Sequence, residues 1–331
     1  MTRIGVIGSG SWGTAVTRLF GLKGYEVVLW SYSWDVPDAI NETHHNPRYL
    51  TDIELPNTTC TNSFEEAVEG VDAVVVVCPS AHLRTTAKGF APYLSDTTPV
   101  VVLSKGVEAD TGLTMIGVLE DVVGHKERLA CLAGPNHAEE VSREMYAATV
   151  VASTNETCAE YFQDLFSTDY FRVYTSNDVV GVEICAAAKN IMAIANGMCV
   201  ALDSGDNASA ALMTRGLAEI ARLVEALGGD ARTCRGLAGM GDLIVTCTSP
   251  HSRNRSLGET LVNGGTLQEY EAKTHMVAEG AVACKTVTDL ARKHHVEMPI
   301  SEIVRRVLWE GLDPREAGRM LYERPQKPEL A

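Results

Sequence analysis

The sequence has no Cys-x-x-Cys pair and no cluster of cysteine and histidine at the spacing of metal ligands. Its nine cysteines are an odd number and stand singly along the chain. Scattered single cysteines favour reduced thiols, as in cytosolic proteins, over a disulfide framework or a zinc site. We therefore expect a cytoplasmic protein that has no structural metal.

Positive charge is also scarce. The chain has 28 Lys and Arg residues against 43 Asp and Glu residues, which gives a formal net charge of −15. A nucleic acid or an anionic membrane surface binds to clustered cations, so this composition argues against both partners. A small anionic substrate stays compatible, because a few basic residues that converge locally can bind it.

Long hydrophobic runs are missing as well. The N-terminus lacks the apolar core and the small-residue cleavage site of a signal peptide. Only residues 184–202 approach the length of a membrane span, and Lys189, Asn190 and Asn196 interrupt this Ala-rich stretch. We interpret it as a buried core helix and predict no integral membrane segment.

The 331 residues are enough for two domains that each bury a core. Up to about residue 176, short β-branched runs alternate with helical stretches, as in a mostly parallel sheet covered by helices. The predicted strands are residues 4–7, 27–30, 73–78, 100–103, 129–132, 149–152 and 171–174. Apolar periodicity then predicts helices at residues 179–202, 208–227, 278–294 and 301–310. The fold class is thus α/β, with a Rossmann-type domain at 1–178 and an all-helical domain at 179–331.

A glycine fingerprint, Gly8-Ser9-Gly10-Ser11-Trp12-Gly13, directly follows the first predicted strand. A helix-compatible stretch and a second strand come next, which is the context that a dinucleotide site requires. Gly8 permits the tight turn, Gly10 lets the backbone approach a pyrophosphate, and Gly13 allows close helix packing. The helix N-terminus adds amide donors. This unit predicts that NAD or NADP binds to the first forty residues.

The end of the second strand usually distinguishes the two cofactors, because an acidic residue binds the ribose 2′-hydroxyl and a basic one accommodates a 2′-phosphate. This chain has Ser31, Tyr32 and Ser33 there, and Asp35 follows several residues later. The three hydroxyls can bond a 2′-phosphate or can be solvated loop groups. The preference between NAD and NADP therefore stays open.

Polar residues follow two further predicted strands. Lys105 comes after residues 100–103, and the turn Gly134-Pro135-Asn136-His137 comes after residues 129–132. Ligands of open α/β sheets bind outside the carboxyl ends of the strands, so both segments are candidates. Lys105 is equally compatible with an exposed loop. Without other evidence, we interpret Asn136 as a helix cap and His137 as structural.

Lys189 lies within a predicted helix, where its neighbours three and four residues away are small or apolar. An unpaired buried ammonium is costly, so this lysine must either reach solvent or face a polar site. A lysine at such a site can donate a proton to a developing alkoxide. We favour a catalytic role over a structural one.

The last candidate segment contains Asp242 and, ten residues later, Ser252-Arg253-Asn254. Asp242 and Ser252 are both suited to cap a helix. A hydroxyl, a guanidinium and an amide at a helix N-terminus also suit a phosphate or another small oxyanion. Capping and oxyanion binding are compatible at this position.

Together these motifs resemble bacterial NAD(P)-dependent glycerol-3-phosphate dehydrogenase. The resemblance rests on Gly8 to Ala15, Ser104-Lys105-Gly106, Lys189-Asn190 and Gly239 to Leu243 with Ser252-Arg253-Asn254, in that order along nearly the whole chain. It implies reversible reduction of dihydroxyacetone phosphate to sn-glycerol 3-phosphate, which feeds glycerophospholipid synthesis. It also implies, with the apolar C-terminal helices, a homodimer.

The resemblance also assigns residues. It implies cofactor contacts at Ser11, Trp12, Lys105, Ala138, Arg253, Val277 and Glu279. It implies substrate contacts at Lys105, Gly134, Asn136, Lys189, Asp242, Ser252, Arg253 and Asn254, with Lys189 as the acid/base and no metal. The family commonly has Ser or Thr in place of Asn136 and often a basic residue near Ser31 and Tyr32. These departures leave open the contact at Asn136 and the preference for NADPH.

Two other functions compete with this interpretation. One is a related two-domain dehydrogenase of a 2-hydroxy or 2-keto acid, since one fold hosts several chemistries. The cluster Ser252-Arg253-Asn254 argues against it, because a substrate without phosphate does not need those groups. The other is a non-catalytic NAD(P)-binding redox sensor, which would not need Lys105, Lys189 and Asp242 together.

Overall fold

A computed structural model describes residues 1–274 and 278–329. Its N-terminal part contains eight strands, which form one sheet. They are β1 (Arg3–Ile7), β2 (Glu26–Trp30), β3 (Thr58–Thr61), β4 (Ala73–Val76), β5 (Val100–Val102), β6 (Leu129–Ala133), β7 (Ala147–Ala152) and β8 (Phe171–Ser176).

Helices cover this sheet and make up the rest of the described chain. Those among the strands are α1 (Ser11–Leu22), α2 (Asp35–Thr43), α3 (Phe64–Val68), α4 (Leu83–Phe90), α5 (Met115–Val123), α6 (Ala138–Val141) and α7 (Glu156–Phe166). Those that follow the sheet are α8 (Val179–Ala201), α9 (Gly205–Ala226), α10 (Asp242–Thr248), α11 (Arg253–Val262), α12 (Leu267–Thr274), α13 (Glu279–Lys293), α14 (Pro299–Trp309) and α15 (Pro314–Tyr322).

The strand order is β3-β2-β1-β4-β5-β6-β7-β8. Every neighbouring pair is parallel except β6 and β7, so the sheet is mostly parallel, as the sequence predicts. The strand order reverses between β1 and β4, since β2 and β3 lie on one side of β1 and β4 lies on the other. In open α/β sheets, a ligand crevice forms at the carboxyl ends of the strands at such a point. This topology confirms the Rossmann-type sheet followed by a helical C-terminal part.

The strand β3 is absent from the sequence-based prediction. Its residues, Thr-Thr-Cys-Thr, lack a run of apolar side chains, because β3 lies at the edge of the sheet and half of it faces solvent. The seven predicted strands all form, and their ends differ by at most two residues from the prediction.

Helix α8 is the core of the helical part. It is long and apolar enough to span a membrane by composition, and 83% of its most apolar window is buried inside the protein. Helices α9, α10, α11, α13 and α14 all pack against it. The interpretation of this segment as a core helix, which includes Lys189, is confirmed.

Glycines bring α8 and α11 unusually close together. A Cβ on Gly258 of α11 would lie 2.1 Å from the Ile194 carbonyl oxygen, and one on Gly197 of α8 would lie 2.0 Å from that of Arg255. No real side chain fits at these distances, so the backbones touch directly. This contact fixes the start of α11 relative to Lys189.

We expect Gly258→Ala to lower the free energy of unfolding by about 1 to 3 kcal/mol, because the added methyl group must push the two helices apart. Gly318→Ala is the matched control. A Cβ at Gly318 meets no atom within 4 Å, so that change should raise stability by about 0.5 to 1 kcal/mol through helix propensity. Urea unfolding measures both. Equal stability of the two variants would contradict the close crossing.

Candidate active site

The glycine loop between β1 and α1 is shaped for a pyrophosphate. Gly8 has φ of +126°, and a Cβ on Gly13 would lie 1.8 Å from the Gly8 carbonyl oxygen. A Cβ on Gly10 would meet nothing within 4 Å, so the second glycine faces open space. Helix α1 starts at Ser11 without a side-chain cap and without acidic residues in its first turn. Its amide donors thus face the space that a pyrophosphate would occupy, and the residues fit a bound dinucleotide.

Three side chains from distant parts of the chain meet in an ionic triad, which we define as Lys105, Lys189 and Asp242. Lys105 Nζ donates to Asp242 Oδ2 at 2.7 Å, and Lys189 Nζ donates to Asp242 Oδ1. Lys105 follows β5, Lys189 lies on α8 and Asp242 begins α10. The triad therefore joins the carboxyl end of the sheet to the helical core.

The triad lies almost entirely out of water. The side chains of Lys189 and Asp242 are 7% and 2% exposed, and that of Lys105 is 20% exposed. Two ammonium groups share one carboxylate, so the cluster carries a net positive charge. A desolvated, positively charged cluster at the carboxyl end of a parallel sheet suits an anionic ligand.

Thr246 completes the surroundings of Lys189 and is absent from the sequence-based assignment. Its Oγ1 accepts from Lys189 Nζ at 2.7 Å and donates to the Asp242 carbonyl oxygen at 2.6 Å. Thr246 lies one helical turn after Asp242, so the two side chains share a face of α10. That spacing is the signal by which the sequence could have indicated it.

Burial sets the proton affinities of the triad. Burial lowers the pKa of Lys189 to about 8, while Asp242 opposes this shift and Lys105 adds to it. Burial alone would raise the pKa of Asp242, but the ammonium groups of Lys105 and Lys189 outweigh it and hold that pKa below its usual range. Lys189 is therefore a cation at pH 7 and a stronger acid than an exposed lysine.

The N-terminus of α11 is a second polar surface. Ser252 caps this helix, because its Oγ accepts from the Arg255 amide at 3.3 Å, as the sequence predicts. Arg253 and Asn254 form the first turn. The side-chain oxygen Oδ1 of Asn254 accepts from the Gly280 backbone amide at 2.9 Å. This bond does not use the side-chain donor Nδ2 of Asn254, which can serve a ligand. The three residues of the predicted oxyanion cluster thus lie together at a helix N-terminus.

The turn after β6 differs from the prediction in one respect. Asn136 does not cap α6, because its Nδ2 donates to the carbonyl oxygens of Pro135 and Ala148 at 3.0 and 3.2 Å. Asn136 instead fastens the turn to β7. Gly134 has no room for a side chain, since a Cβ there would lie 2.8 Å from Thr149 Oγ1.

Asp242 also differs from a helix cap. Gly241 occupies the N-cap position of α10 and no side chain caps that helix. The Asp242 carboxylate turns to Lys105 and Lys189 instead. The capping interpretation of Asp242 is therefore wrong, because two buried ammonium groups offer a stronger partner than a backbone amide.

His137 lies close enough to the triad for the charges of Lys189 and Asp242 to act on its pKa. Its ring centroid is 6.1 Å from that of His251. Its buried Nε2 has no hydrogen-bond partner within the described residues. Burial, and then the Lys189 ammonium, lower the pKa of His137, so the imidazole is neutral at pH 7.

Three other predicted residues have separate positions. Ala138 is buried at the start of α6. Glu279 starts α13 and lies close enough to Lys189 to raise its pKa slightly against the effect of burial. The predicted cofactor contact Val277 lies outside the described residues.

The segment after β2 is divided between a buried and an exposed part. Ser31 is fully buried, and its Oγ bonds Ser9 Oγ of the glycine loop at 2.8 Å. Tyr32 is 84% exposed. Ser33 Oγ accepts from Arg48 Nη1 at 3.2 Å. Ser31 thus supports the glycine loop. Arg48 brings a positive charge next to Ser33, which the sequence did not indicate.

Asn46 explains how Arg48 comes to this place. Its fully buried side chain donates to the Ser9 carbonyl oxygen at 2.9 Å and to Thr14 Oγ1 at 2.8 Å. Its Oδ1 accepts from the Arg48 amide at 2.9 Å. The segment after α2 is thereby fastened to the glycine loop. No spacing rule in the sequence links residues 46–48 to residues 9–14.

Family comparisons agree with this geometry. Residues 3–159 match the model of the NAD-dependent glycerol-3-phosphate dehydrogenase N-terminus, and residues 178–319 match that of the NAD-dependent glycerol-3-phosphate dehydrogenase C-terminus.

Individual relatives cover the whole chain. The chain is 47% identical over 331 residues to "Glycerol-3-phosphate dehydrogenase [NAD(P)+] 2" of Salinibacter ruber, covering 99% of this chain and 96% of that protein. It is 46% identical to the Thermobifida fusca protein of that activity, with 99% of each covered. The crystal structure of glycerol-3-phosphate dehydrogenase from Coxiella burnetii superposes with a TM-score of 0.93 at 36% identity, covering 98% of this chain and 99% of that one.

We expect Asp242→Asn to destabilise the fold by about 3 to 5 kcal/mol, because it leaves two buried ammonium groups without their anion. The double variant Asp242→Asn/Lys105→Met should be less destabilised than the single one, since only one ammonium then remains. Urea unfolding at pH 7 measures both.

Asp52→Asn is the control, because Asp52 forms an ion pair with Arg143 at 2.8 Å on the surface. We expect that change to cost less than about 1 kcal/mol. If Asp242→Asn also lowered the free energy of unfolding by less than about 1 kcal/mol, the triad would not be a desolvated ionic cluster.

Proposed function

This chain belongs to the NAD-dependent glycerol-3-phosphate dehydrogenase family, and we propose that Lys189 supplies the proton in its reaction. The chain is an NAD(P)-dependent oxidoreductase that interconverts dihydroxyacetone phosphate and sn-glycerol 3-phosphate. When bound, the reduced cofactor would supply the hydride that C2 of the ketone accepts. The developing alkoxide at C2 then needs one proton, and the Lys189 ammonium provides it.

The burial of Lys189 supports this role most strongly. Its Nζ lies among Asp242, Thr246 and the neighbouring Lys105, with almost no contact to water. A pKa of about 8 makes the ammonium acidic enough to protonate an alkoxide and basic enough to accept the proton in the reverse direction. A lysine with only a structural role would not need an environment that lowers the pKa of its ammonium group.

Asp242 and Lys105 support Lys189 in different ways. The Asp242 carboxylate fixes the direction of the Lys189 ammonium and balances its charge. Lys105 shares the other carboxylate oxygen and brings a second positive charge to the same place. We assign Lys105 to polarising the reacting carbonyl, because a positive charge there stabilises the developing oxyanion.

We assign the substrate phosphate to the start of α11. Ser252, Arg253 and Asn254 offer a hydroxyl, a guanidinium and an amide at a helix N-terminus. The close crossing of α8 and α11 holds this surface at a fixed place relative to Lys189. Binding of the phosphate would then orient C2 toward the ammonium. Gly134 and Asn136 would line the same cleft from the sheet.

The cofactor contacts remain proposals of the same kind. Gly8, Gly10, Ser11, Trp12 and Gly13 would hold the pyrophosphate on the loop and on the first turn of α1. Lys105, Ala138, Arg253 and Glu279 would also contact the cofactor, as the family resemblance implies, and the resemblance implies the same for Val277, which lies outside the described residues. The exposed Tyr32 would lie on the adenosine side.

We also propose a boundary between the two domains at residue 178, a cytoplasmic location and a homodimer. The last strand ends at Ser176 and the C-terminal family match begins at residue 178, which supports the boundary. All nine cysteines are free thiols, which supports a reducing compartment. Exposed aromatic side chains at Trp309 and Tyr322 on α14 and α15 support a dimer.

The direct test follows reduced-nicotinamide absorbance with dihydroxyacetone phosphate, in parallel with NADH and NADPH. We expect Lys189→Met to lower kcat by about two to four powers of ten, because the alkoxide loses its proton donor. Cofactor affinity, measured by fluorescence titration, should change little.

Lys285→Met is the matched control, because Lys285 is an exposed lysine on α13. It should keep full turnover. Near-normal kcat of Lys189→Met would refute the role of Lys189. Absence of turnover in the unmodified protein, despite dinucleotide binding, would favour a different substrate.

The pH dependence of kcat gives an independent test. The ammonium form of Lys189 is present below its pKa of about 8, so kcat for ketone reduction should fall as pH rises through that value. The reverse oxidation should rise over the same range, because it needs the neutral amine.

Lys105→Met removes a charge that lowers the pKa of Lys189, so it should move both midpoints to higher pH. Stopped turnover assays in both directions, from pH 6 to pH 10, measure these midpoints. Unchanged midpoints in the variant would assign the titration to another group.

A further inference from the structure

The structure places a cation, the Arg48 guanidinium, beside the segment that follows β2. In a Rossmann unit, the residues after β2 approach the ribose 2′-position of the adenosine. Ser31 is committed to the glycine loop, so Tyr32 and Ser33 are the next residues along this edge. The guanidinium of Arg48 contacts Ser33 Oγ at 3.2 Å.

Arg48 is held in place from two sides. Its backbone is fastened to the glycine loop through Asn46. Its side chain forms a bidentate ion pair with Asp35, in which Nη2 donates to Oδ1 at 2.7 Å and Nε donates to Oδ2 at 3.1 Å. A half-exposed arginine is thereby kept at one position.

The hydrogen-bond donors of this group are not exhausted. A guanidinium has five N–H protons, and the pair with Asp35 uses those on Nε and Nη2. One Nη1 proton goes to Ser33 Oγ, which leaves the other Nη1 proton. Because Ser33 Oγ accepts from Arg48, its own hydroxyl proton is free to be donated. The second Nη1 proton of Arg48 and the hydroxyl proton of Ser33 are therefore neighbouring donors, and a ligand that accepts both leaves the ion pair intact.

The geometry points to Arg48 and Ser33 as the residues that bind the 2′-phosphomonoester when NADP rather than NAD is the cofactor. This inference rests on the proposed dinucleotide site and extends it. The Arg48 charge offsets that of Asp35, which would otherwise repel a phosphate dianion. When NAD binds, Arg48 stays paired with Asp35 alone, because the uncharged 2′-hydroxyl of NAD needs no positive charge beside it.

Binding of adenosine 2′,5′-bisphosphate and of adenosine 5′-monophosphate, each measured by calorimetry on the full-length protein, tests the subsite. The two probes differ only in the 2′-phosphate. Arg48→Gln should weaken binding of the bisphosphate by about tenfold to a hundredfold, because a charge-assisted hydrogen bond is lost. Ser33→Ala should weaken it by about threefold to tenfold. Neither change should alter binding of the monophosphate by more than about threefold.

Arg292→Gln is the matched control, because Arg292 forms a bidentate pair with Glu302 in the helical part and is 51% exposed against 50% for Arg48. It should change neither affinity. A second readout is the ratio of kcat/KM for NADPH to that for NADH, which should fall in Arg48→Gln.

Equal weakening of both probes by Arg48→Gln, or no weakening of either, would overturn the subsite. The binding assay needs no turnover, so it separates this inference from the proposed function. If the unmodified protein did not turn over dihydroxyacetone phosphate, but Arg48→Gln weakened binding of the bisphosphate alone, the subsite would stand and the proposed function would be refuted.

Discussion

The structure of the active site depends on one costly arrangement, a lysine ammonium buried in the middle of the core helix α8. Water cannot solvate Lys189 there, so the protein must supply an anion and an acceptor at fixed places. Asp242 and Thr246, one helical turn apart on α10, fulfil that need. The position of α10 relative to α8 is therefore determined by charge as much as by apolar packing.

The same requirement connects the two halves of the molecule. Lys105 reaches the free oxygen of Asp242 from the end of β5, so the ion cluster joins the sheet to the helices. A second carboxylate, that of Glu183 on α8, also joins the helical part to the N-terminal part. It accepts a hydrogen bond of 2.9 Å from the Ile116 amide at the start of α5. Both contacts fix the carboxyl end of the sheet relative to the helices, next to the triad.

Much of this could be predicted from the sequence. The glycine fingerprint follows a strand and precedes a helix, and short-range rules are sufficient to recognise that order. The apolar run that becomes α8 shows Lys189 as an exception, because a charge among small and apolar neighbours is conspicuous. Ser252 was recognisable as a cap because serine is favoured at the N-cap position of a helix. In each case the signal lies within one or two turns of the residue concerned.

Other features lay beyond such rules. The polar edge strand β3 has no apolar run, Asn136 fastens a turn instead of capping a helix, and Asn46 brings Arg48 to the glycine loop across more than thirty residues. These depend on which backbone groups meet after folding.

The sequence by itself determined seven of the eight strands, the helices α8, α9, α13 and α14, the dinucleotide loop and the identity of the buried lysine, because local periodicity and composition encode them. Only the tertiary structure decided which carboxylate meets that lysine, that Asp242 is shared with Lys105, and which cation lies beside Ser33 after β2. Side chains distant in sequence are paired by the packing of α8, α10 and the sheet, and the free energy of that packing is not visible in any short segment.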